Sequence, residues 1–221
     1  MEELLSKIAH CVEFGKVDKV APYPPDMKGQ DGANELTKQA LEAGIKADTI
    51  LKQALVIGMD RVGKKFSEKK IFIPQMLMSA KAMNAAIEHL KPFFQSGEVQ
   101  RKGKFIIATV QGDLHDIGKN LVKMSIEGAG WEVIDLGVDV KTEKILTALN
   151  ENPTAKVGLS ALLTTTMQNM KNTVEAIKGK YPANEVLVGG APVNDAFCKE
   201  IGADFYAPDP QGAVAYLNKM A

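Results

Sequence analysis

Lys104-Phe105-Ile106-Ile107-Ala108-Thr109-Val110 runs directly into Gln111-Gly112-Asp113-Leu114-His115-Asp116-Ile117-Gly118-Lys119-Asn120. The first stretch is almost continuously apolar, as expected of a strand buried on both faces in the middle of a parallel sheet. The second is a glycine-bracketed polar loop that leads into a helical pattern over 117–128. Downstream, short apolar runs recur at 131–136, 156–162, 185–189 and 203–207, separated by helical stretches near 142–150, 167–179, 193–200 and 211–220. This alternation predicts right-handed βαβ crossovers and a doubly wound parallel sheet with helices on both faces, occupying residues 104–221. Ligands of such sheets bind beyond the carboxyl ends of the strands, so the loop at 111–118 is the first place to look for chemistry.

Upstream of residue 104 the period is helical. Leu4, Leu5, Ile8 and Val12 form one side of an amphipathic helix over 2–14. Ala21-Pro22-Tyr23-Pro24-Pro25-Asp26 cannot be helical, because each proline lacks a donor N–H and restricts the residue before it. A second helix is expected from Ala33 to Ala43, stopped by Gly44, and a third after an Asp48 N-cap, with Leu51, Leu55 and Val62 inward and Ile57 and Met59 beside them. A fourth starts at Pro74 and ends near Leu90, before Pro92, with Met76, Ala80, Met83, Ile87 and Leu90 as its stripe. Four such helices suit a small bundle over residues 1–93. The polar, glycine-bearing segment 94–103 reads as a linker.

Composition removes several classes of function. The chain has 221 residues, and its 27 Lys plus Arg are balanced by 27 Asp plus Glu, which argues against a broad electrostatic grip on nucleic acid or anionic lipid. It contains no uncharged apolar run of about 18 residues, so no membrane span is expected. Met1-Glu2-Glu3 places acids where a secretion signal carries positive charge, giving the expectation of a cytoplasmic protein. Cys11 and Cys198 form neither a CxxC pair nor a disulfide framework. Any chemistry that needs imidazole must come from His10, His89 or His115. The first two sit in helical patterns with no partner motif and are read as ordinary helix residues.

His115 differs, because it lies at the ligand-binding edge with a carboxylate two residues before it. A carboxylate that accepts the imidazole Nδ1–H selects the tautomer, orients the ring and strengthens Nε2 as a metal donor. A histidine in such a loop is most often simply solvent-facing. Gly112 and Gly118 do not make a dinucleotide fingerprint, and no second histidine or cysteine stands at zinc-ligand spacing. One protein nitrogen with no companion ligand suits a metal that brings its own macrocycle.

Asp113-x-His115-x-x-Gly118, followed by Ser160-x-Leu162 and by Gly189-Gly190, resembles the cobalamin-binding signature, with each element just after an expected strand. In the helical half, Gly58-Met59-Asp60-x-Val62-Gly63-x-x-Phe66 and Phe72-Ile73-Pro74-Gln75 resemble the helical cap of methionine synthase and of the small corrinoid proteins of methyltransferase systems. The resemblance spans roughly 35–210. It implies an all-α cap and a Rossmann-like, flavodoxin-like cobalamin domain. It further implies that His115 is the lower axial ligand of cobalt, that Asp113 holds its other nitrogen, and that Thr166 supplies the hydroxyl at the end of the relay, where methionine synthase has serine. Gly112, Leu114, Asp116, Gly118 and Leu162 would line the cofactor; Ser160 and Thr164 would meet the displaced nucleotide tail, with Gly189-Gly190 opening a groove for it; Phe66 and Ile73 would shield the upper face.

The chemistry implied is that of a carrier cycling between cob(I)alamin and methylcob(III)alamin, as in methanol, methylamine or methoxyaromatic metabolism. With no zinc set and no barrel to hold a donor, the chain is expected to depend on a donor-specific methyltransferase, on an acceptor methyltransferase that uses tetrahydrofolate, coenzyme M or another thiol, and on a reductive activator of cobalt(II). Two other readings share these modules: the cobalamin subunit of a split methionine synthase, and a cobalamin sensor, which usually adds a DNA-binding segment. Adenosyl-dependent mutases share the D-x-H-x-x-G fold but lack the cap motifs.

Overall fold

The computed structural model describes residues 1–220 and divides into two units, Met1–Arg101 and the bulk of the chain from Lys102 onward.

The first unit is helical: α1 (Glu2–Phe14), α2 (Ala33–Glu42), α3 (Ala47–Ile50), α4 (Val56–Ser67) and α5 (Ile73–Gln95). Its core is the one the spacing predicts, with Ile8, Val12, Leu55, Val62, Met76, Met83 and Leu90 all buried. Gly58 permits the close approach of α4 to α1, since a Cβ there would lie 2.8 Å from both the Ala9 carbonyl and the Val12 Cβ. The expected third helix is continuous in space but contains a π turn, Leu51–Leu55, between α3 and α4. Asp48 is not its N-cap: that place belongs to Lys46, and Asp48 lies within the first turn, where its charge still faces the positive end of the helix. Ile57 is exposed, because at about 100° per residue it points away from the Leu55 and Met59 side. Helix α5 does not stop before Pro92 but continues through it to Gln95. A proline this near the end removes one hydrogen bond, and the last turn still closes through Ser96 N–H to the Pro92 carbonyl. Phe94 and Gln95, expected in the linker, are therefore helical, and Val99 is buried.

The second unit is a five-stranded parallel sheet in the order β2-β1-β3-β4-β5. Its strands are β1 (Lys104–Thr109), β2 (Glu132–Asp135), β3 (Lys156–Ser160), β4 (Val186–Gly189) and β5 (Phe205–Tyr206). The connecting helices are α6 (Ile117–Gly128), α7 (Thr142–Glu151), α8 (Met167–Lys180), α9 (Asp195–Glu200) and, after β5, α10 (Pro210–Asn218). Strand β1 is interior, flanked by β2 and β3, with Phe105 to Thr109 buried as its apolar run predicts. Ile106, Ala108, Val157, Leu159, Val186 and Val188 belong to the core, with Ile145, Leu149, Val174 and Ile177 from the helices. The chain leaves β1 toward β2 on one side and enters β3 on the other, so the strand order reverses at the β1/β3 boundary and opens a crevice at their carboxyl ends. The loop carrying His115 leaves from that point.

Candidate corrinoid site

The apolar run expected to continue to Leu162 ends as a strand at Ser160, and Ala161 N–H still bonds the Gly189 carbonyl at 3.1 Å. The two amides after it have another partner. Leu162 N–H donates to Asp113 Oδ2 at 2.7 Å and Leu163 N–H to the same oxygen at 3.2 Å. The Thr166 hydroxyl lies 2.8 Å from that oxygen and 2.8 Å from the Leu163 carbonyl. With one proton to give, it is drawn to the charged acceptor. On the other side of the carboxylate, Oδ1 accepts the His115 backbone N–H at 3.1 Å and its ring Nδ1–H at 2.7 Å.

Asp113 is completely buried. Burial alone pushes its pKa up. The hydrogen bonds from the Leu162 amide, from the His115 ring and backbone and from Thr166 outweigh that, and they hold the carboxyl well below the usual carboxylate range. An ionised carboxylate only accepts, so Nδ1 carries a proton toward it and Nε2 is the nitrogen left to face a ligand. No described residue hydrogen-bonds that nitrogen, and the ring is 51% exposed. The result is an oriented nitrogen donor on the open edge of the sheet.

Several residues fasten the loop. Gly112 has φ +84° and gives its N–H to Asp139 Oδ1 at 2.7 Å, while Asp139 N–H returns to the Asp113 carbonyl at 2.9 Å. Thr109 Oγ1 donates to the His115 carbonyl at 2.9 Å. Thr109 and Asp139 carry no sequence signal that marked them: Asp139 acts on a residue 27 positions away, and Thr109 acts through a backbone carbonyl. Asp116, expected to line the cofactor, accepts from Asn120 through both its side chain and its carbonyl and so organises the start of α6.

The surroundings fit a large planar group. Leu114, Ile117, Val138, Leu162 and Leu163 are exposed, Ile117 as the first residue of α6 and the others on loops at the carboxyl ends of β1, β2 and β3. Exposed apolar side chains gathered on one edge mark a surface built to be covered. Gly118 has nothing within 4 Å of where a Cβ would be, leaving space next to His115. Gly190, at φ +120°, passes so close to the Ala161 carbonyl that a Cβ would be 1.9 Å from its oxygen, so Gly189-Gly190 lies against the end of β3 with no side chain between. Ser160 is half-buried at the end of β3, and Thr164 is exposed at the start of a short 3-10 turn ahead of α8.

The structure thus joins Gly112, Asp113, His115, Leu162 and Thr166 in one hydrogen-bonded group. It sets Leu114, Gly118, Ser160, Thr164, Gly189 and Gly190 along the same edge without such bonds between their side chains. Phe66 and Ile73 belong to the helical unit, the first half-buried at the end of α4 and the second exposed at the start of α5. Of the remaining histidines, His89 meets Asn34 Oδ1 at 2.7 Å and His10 packs on Phe14, so both are ordinary helix residues.

Residues 103–215 match a family described as the B12 binding domain, and residues 30–91 match a second family of the same description. The dimethylamine corrinoid protein of Methanosarcina barkeri is 36% identical over 222 residues, covering 99% of this chain and 98% of its own. The trimethylamine corrinoid protein of the same organism is 37% identical over 190 residues, or 84% of this chain and 88% of its own. In structure, the chain is similar to the methanol:cobalamin methyltransferase complex of Methanosarcina barkeri, with a TM-score of 0.83 and 30% identity over 99% of this chain and 79% of that one. A cobalamin-binding protein from Desulfitobacterium hafniense gives a TM-score of 0.75 with 29% identity over 98% of both chains. The chain belongs to the family of B12-binding corrinoid proteins.

Proposed function

We propose that this protein carries a methyl group on a corrinoid cobalt from a donor-specific methyltransferase to an acceptor methyltransferase. When bound, the corrinoid supplies a cobalt centre that takes up a methyl group and gives it away. The protein supplies the rest. His115 Nε2 would hold the cobalt, and Asp113 keeps that nitrogen aimed by accepting the Nδ1 proton. The Leu162 and Leu163 amides and the Thr166 hydroxyl keep Asp113 ionised. Ser160, Thr164, Gly189 and Gly190 would take the displaced nucleotide tail, and Gly112, Leu114 and Gly118 would line the ring. Phe66 and Ile73 are the residues of the helical unit that would shield the methyl group.

The single observation that carries the reading is the buried, five-donor Asp113 holding a half-exposed histidine whose other nitrogen is open. The donor class we favour is a methylated amine, after the dimethylamine and trimethylamine corrinoid proteins that match nearly the full chain. The acceptor would be a tetrahydrofolate or thiol methyltransferase, with a reductive activator to recover oxidised cobalt. No described helix is long and apolar enough to cross a membrane, and both cysteines are free, in keeping with a reducing cytoplasm. The test is titration of the purified protein with methylcobalamin, followed by absorption. His115→Ala is expected to change the spectrum to that of cobalt without a lower ligand and to weaken binding. An unchanged spectrum and affinity would remove His115 from the axial position.

A further inference from the structure

Lys119 is the least expected side chain near the site. It lies in the first turn of α6, where a cation opposes the helix dipole, and it is 3% exposed, where an ammonium loses most of its hydration. All three of its N–H donors are nonetheless satisfied. Nζ is 2.7 Å from Asp135 Oδ1, 2.7 Å from Asp135 Oδ2 and 2.9 Å from Asn120 Oδ1. Asp135 is the last residue of β2, and its Oδ1 also accepts the Gly137 N–H at 2.9 Å. The Gly137 carbonyl accepts the Thr109 N–H at 3.0 Å, and the Thr109 hydroxyl donates to the His115 carbonyl.

These bonds close a ring: His115 to Lys119 along the chain, Lys119 to Asp135, Asp135 to Gly137, Gly137 to Thr109, and Thr109 back to His115. The ring runs along the β2 side of the loop. Asp113, tied to Leu162, Leu163 and Thr166, holds it from the β3 side. We infer that Lys119 and Asp135 are positioning residues for His115, clamping the start of α6 to the end of β2 so that the imidazole is presented to the corrinoid at one height and angle. The inference rests on His115 being the lower ligand. It assigns to a buried ion pair a role that plain tethering of α6 to β2 does not require.

A neighbouring cation provides the control. Lys123, one turn further along α6, approaches the same Asp135 at 3.3 Å but is more exposed and makes no part of the ring. It also leaves Asp135 with a partner when Lys119 is replaced, so Lys119→Met should still fold. The experiment loads wild type, Lys119→Met, Lys119→Arg and Lys123→Met with methylcobalamin. It then reads the share of bound corrinoid with a protein nitrogen below cobalt from the absorption spectrum, alongside the urea stability of each cofactor-free protein. Lys119→Met is expected to bind about tenfold more weakly and to hold mostly unligated corrinoid, the size of loss typical when the support of a metal ligand is removed. Lys119→Arg, which can still grip both oxygens, is expected to restore ligation, and Lys123→Met to leave it unchanged even where it costs stability. A Lys119→Met protein that ligates as wild type does would overturn the inference and leave the pair a tether. Wild type already unligated, with His115→Ala indistinguishable from it, would instead sink the axial assignment and this inference with it.

Discussion

Asp113 Oδ1 lies 2.7 Å from His115 Nδ1, and no atom of the Asp113 side chain reaches solvent. The carboxylate divides its work between its own loop and a segment that begins 49 residues further along, one oxygen facing the histidine and the other the turn that ends β3. The charge that orients the imidazole is therefore held by backbone amides and a hydroxyl from a different βα unit, and the relay cannot form unless both units are in register.

Stability against acid follows from the direction of the Asp113 shift. Its folded pKa is depressed below the ordinary 3.8, so the unfolded chain binds more protons as pH falls. The stabilisation is complete a unit or so above 3.8 and is lost progressively as pH drops through that value toward the folded pKa. Asp113→Asn should flatten this acid limb. It should also destabilise the cofactor-free protein by about 2–4 kcal/mol at neutral pH, because an amide cannot accept from every donor that the carboxylate serves. Urea denaturation of both proteins across pH 3–7 measures both effects.

Two glycines on the same edge should answer opposite ways to one methyl group. Gly190→Ala places its Cβ against the Ala161 carbonyl in a left-handed conformation and is expected to cost about 3 kcal/mol or more of stability. Gly118→Ala meets open space in the first turn of α6, and should leave the cofactor-free protein equal or more stable by up to about 1 kcal/mol. It should still weaken corrinoid binding, if that space is where the ring lies. Thermal melts and cobalamin titrations, run side by side, separate the two.

Thr166 tests the end of the relay. Thr166→Val keeps the shape but removes the hydroxyl, and is expected to cost about 1.5–3 kcal/mol, the range for a hydrogen bond to a charged group. Thr166→Ser keeps the donor and should recover most of that loss. Equal stability and equal corrinoid affinity for the Val and Ser variants would show that the Leu162 and Leu163 amides suffice to hold Asp113.

Ile73 is exposed in the helical unit, so Ile73→Ala should change cofactor-free stability by no more than about 0.5 kcal/mol. If the residue shields the methyl-bearing face, photolysis of bound methylcobalamin should accelerate in the variant. An unaltered photolysis rate would return Ile73 to an incidental surface position.

Much of this was legible one-dimensionally. The apolar run at 105–108 marks a central strand because a strand covered on both faces has no polar side to alternate. The helical stripes at Leu55, Val62, Met76 and Met83 name a core because helix geometry repeats every three to four residues. Asp113 and His115 are two residues apart, so their pairing is a local matter and their spacing carries it. The π turn at Leu51–Leu55 and the passage of α5 through Pro92 were not legible, since packing overrides the local preferences that a sequence pattern records.

The sequence by itself determined the class of each half, the edge of the sheet on which chemistry would sit, and the one histidine able to serve it. Tertiary structure alone decided what orients that histidine. The amides of Leu162 and Leu163 leave the β3 ladder for Asp113, Thr109 secures the His115 carbonyl, and Lys119 grips Asp135 from the opposite flank. Asp113 and the Leu162–Thr166 turn lie in separate βα units and Lys119 reaches the following strand, so these bonds depend on strand order and register, which a string of residues does not display.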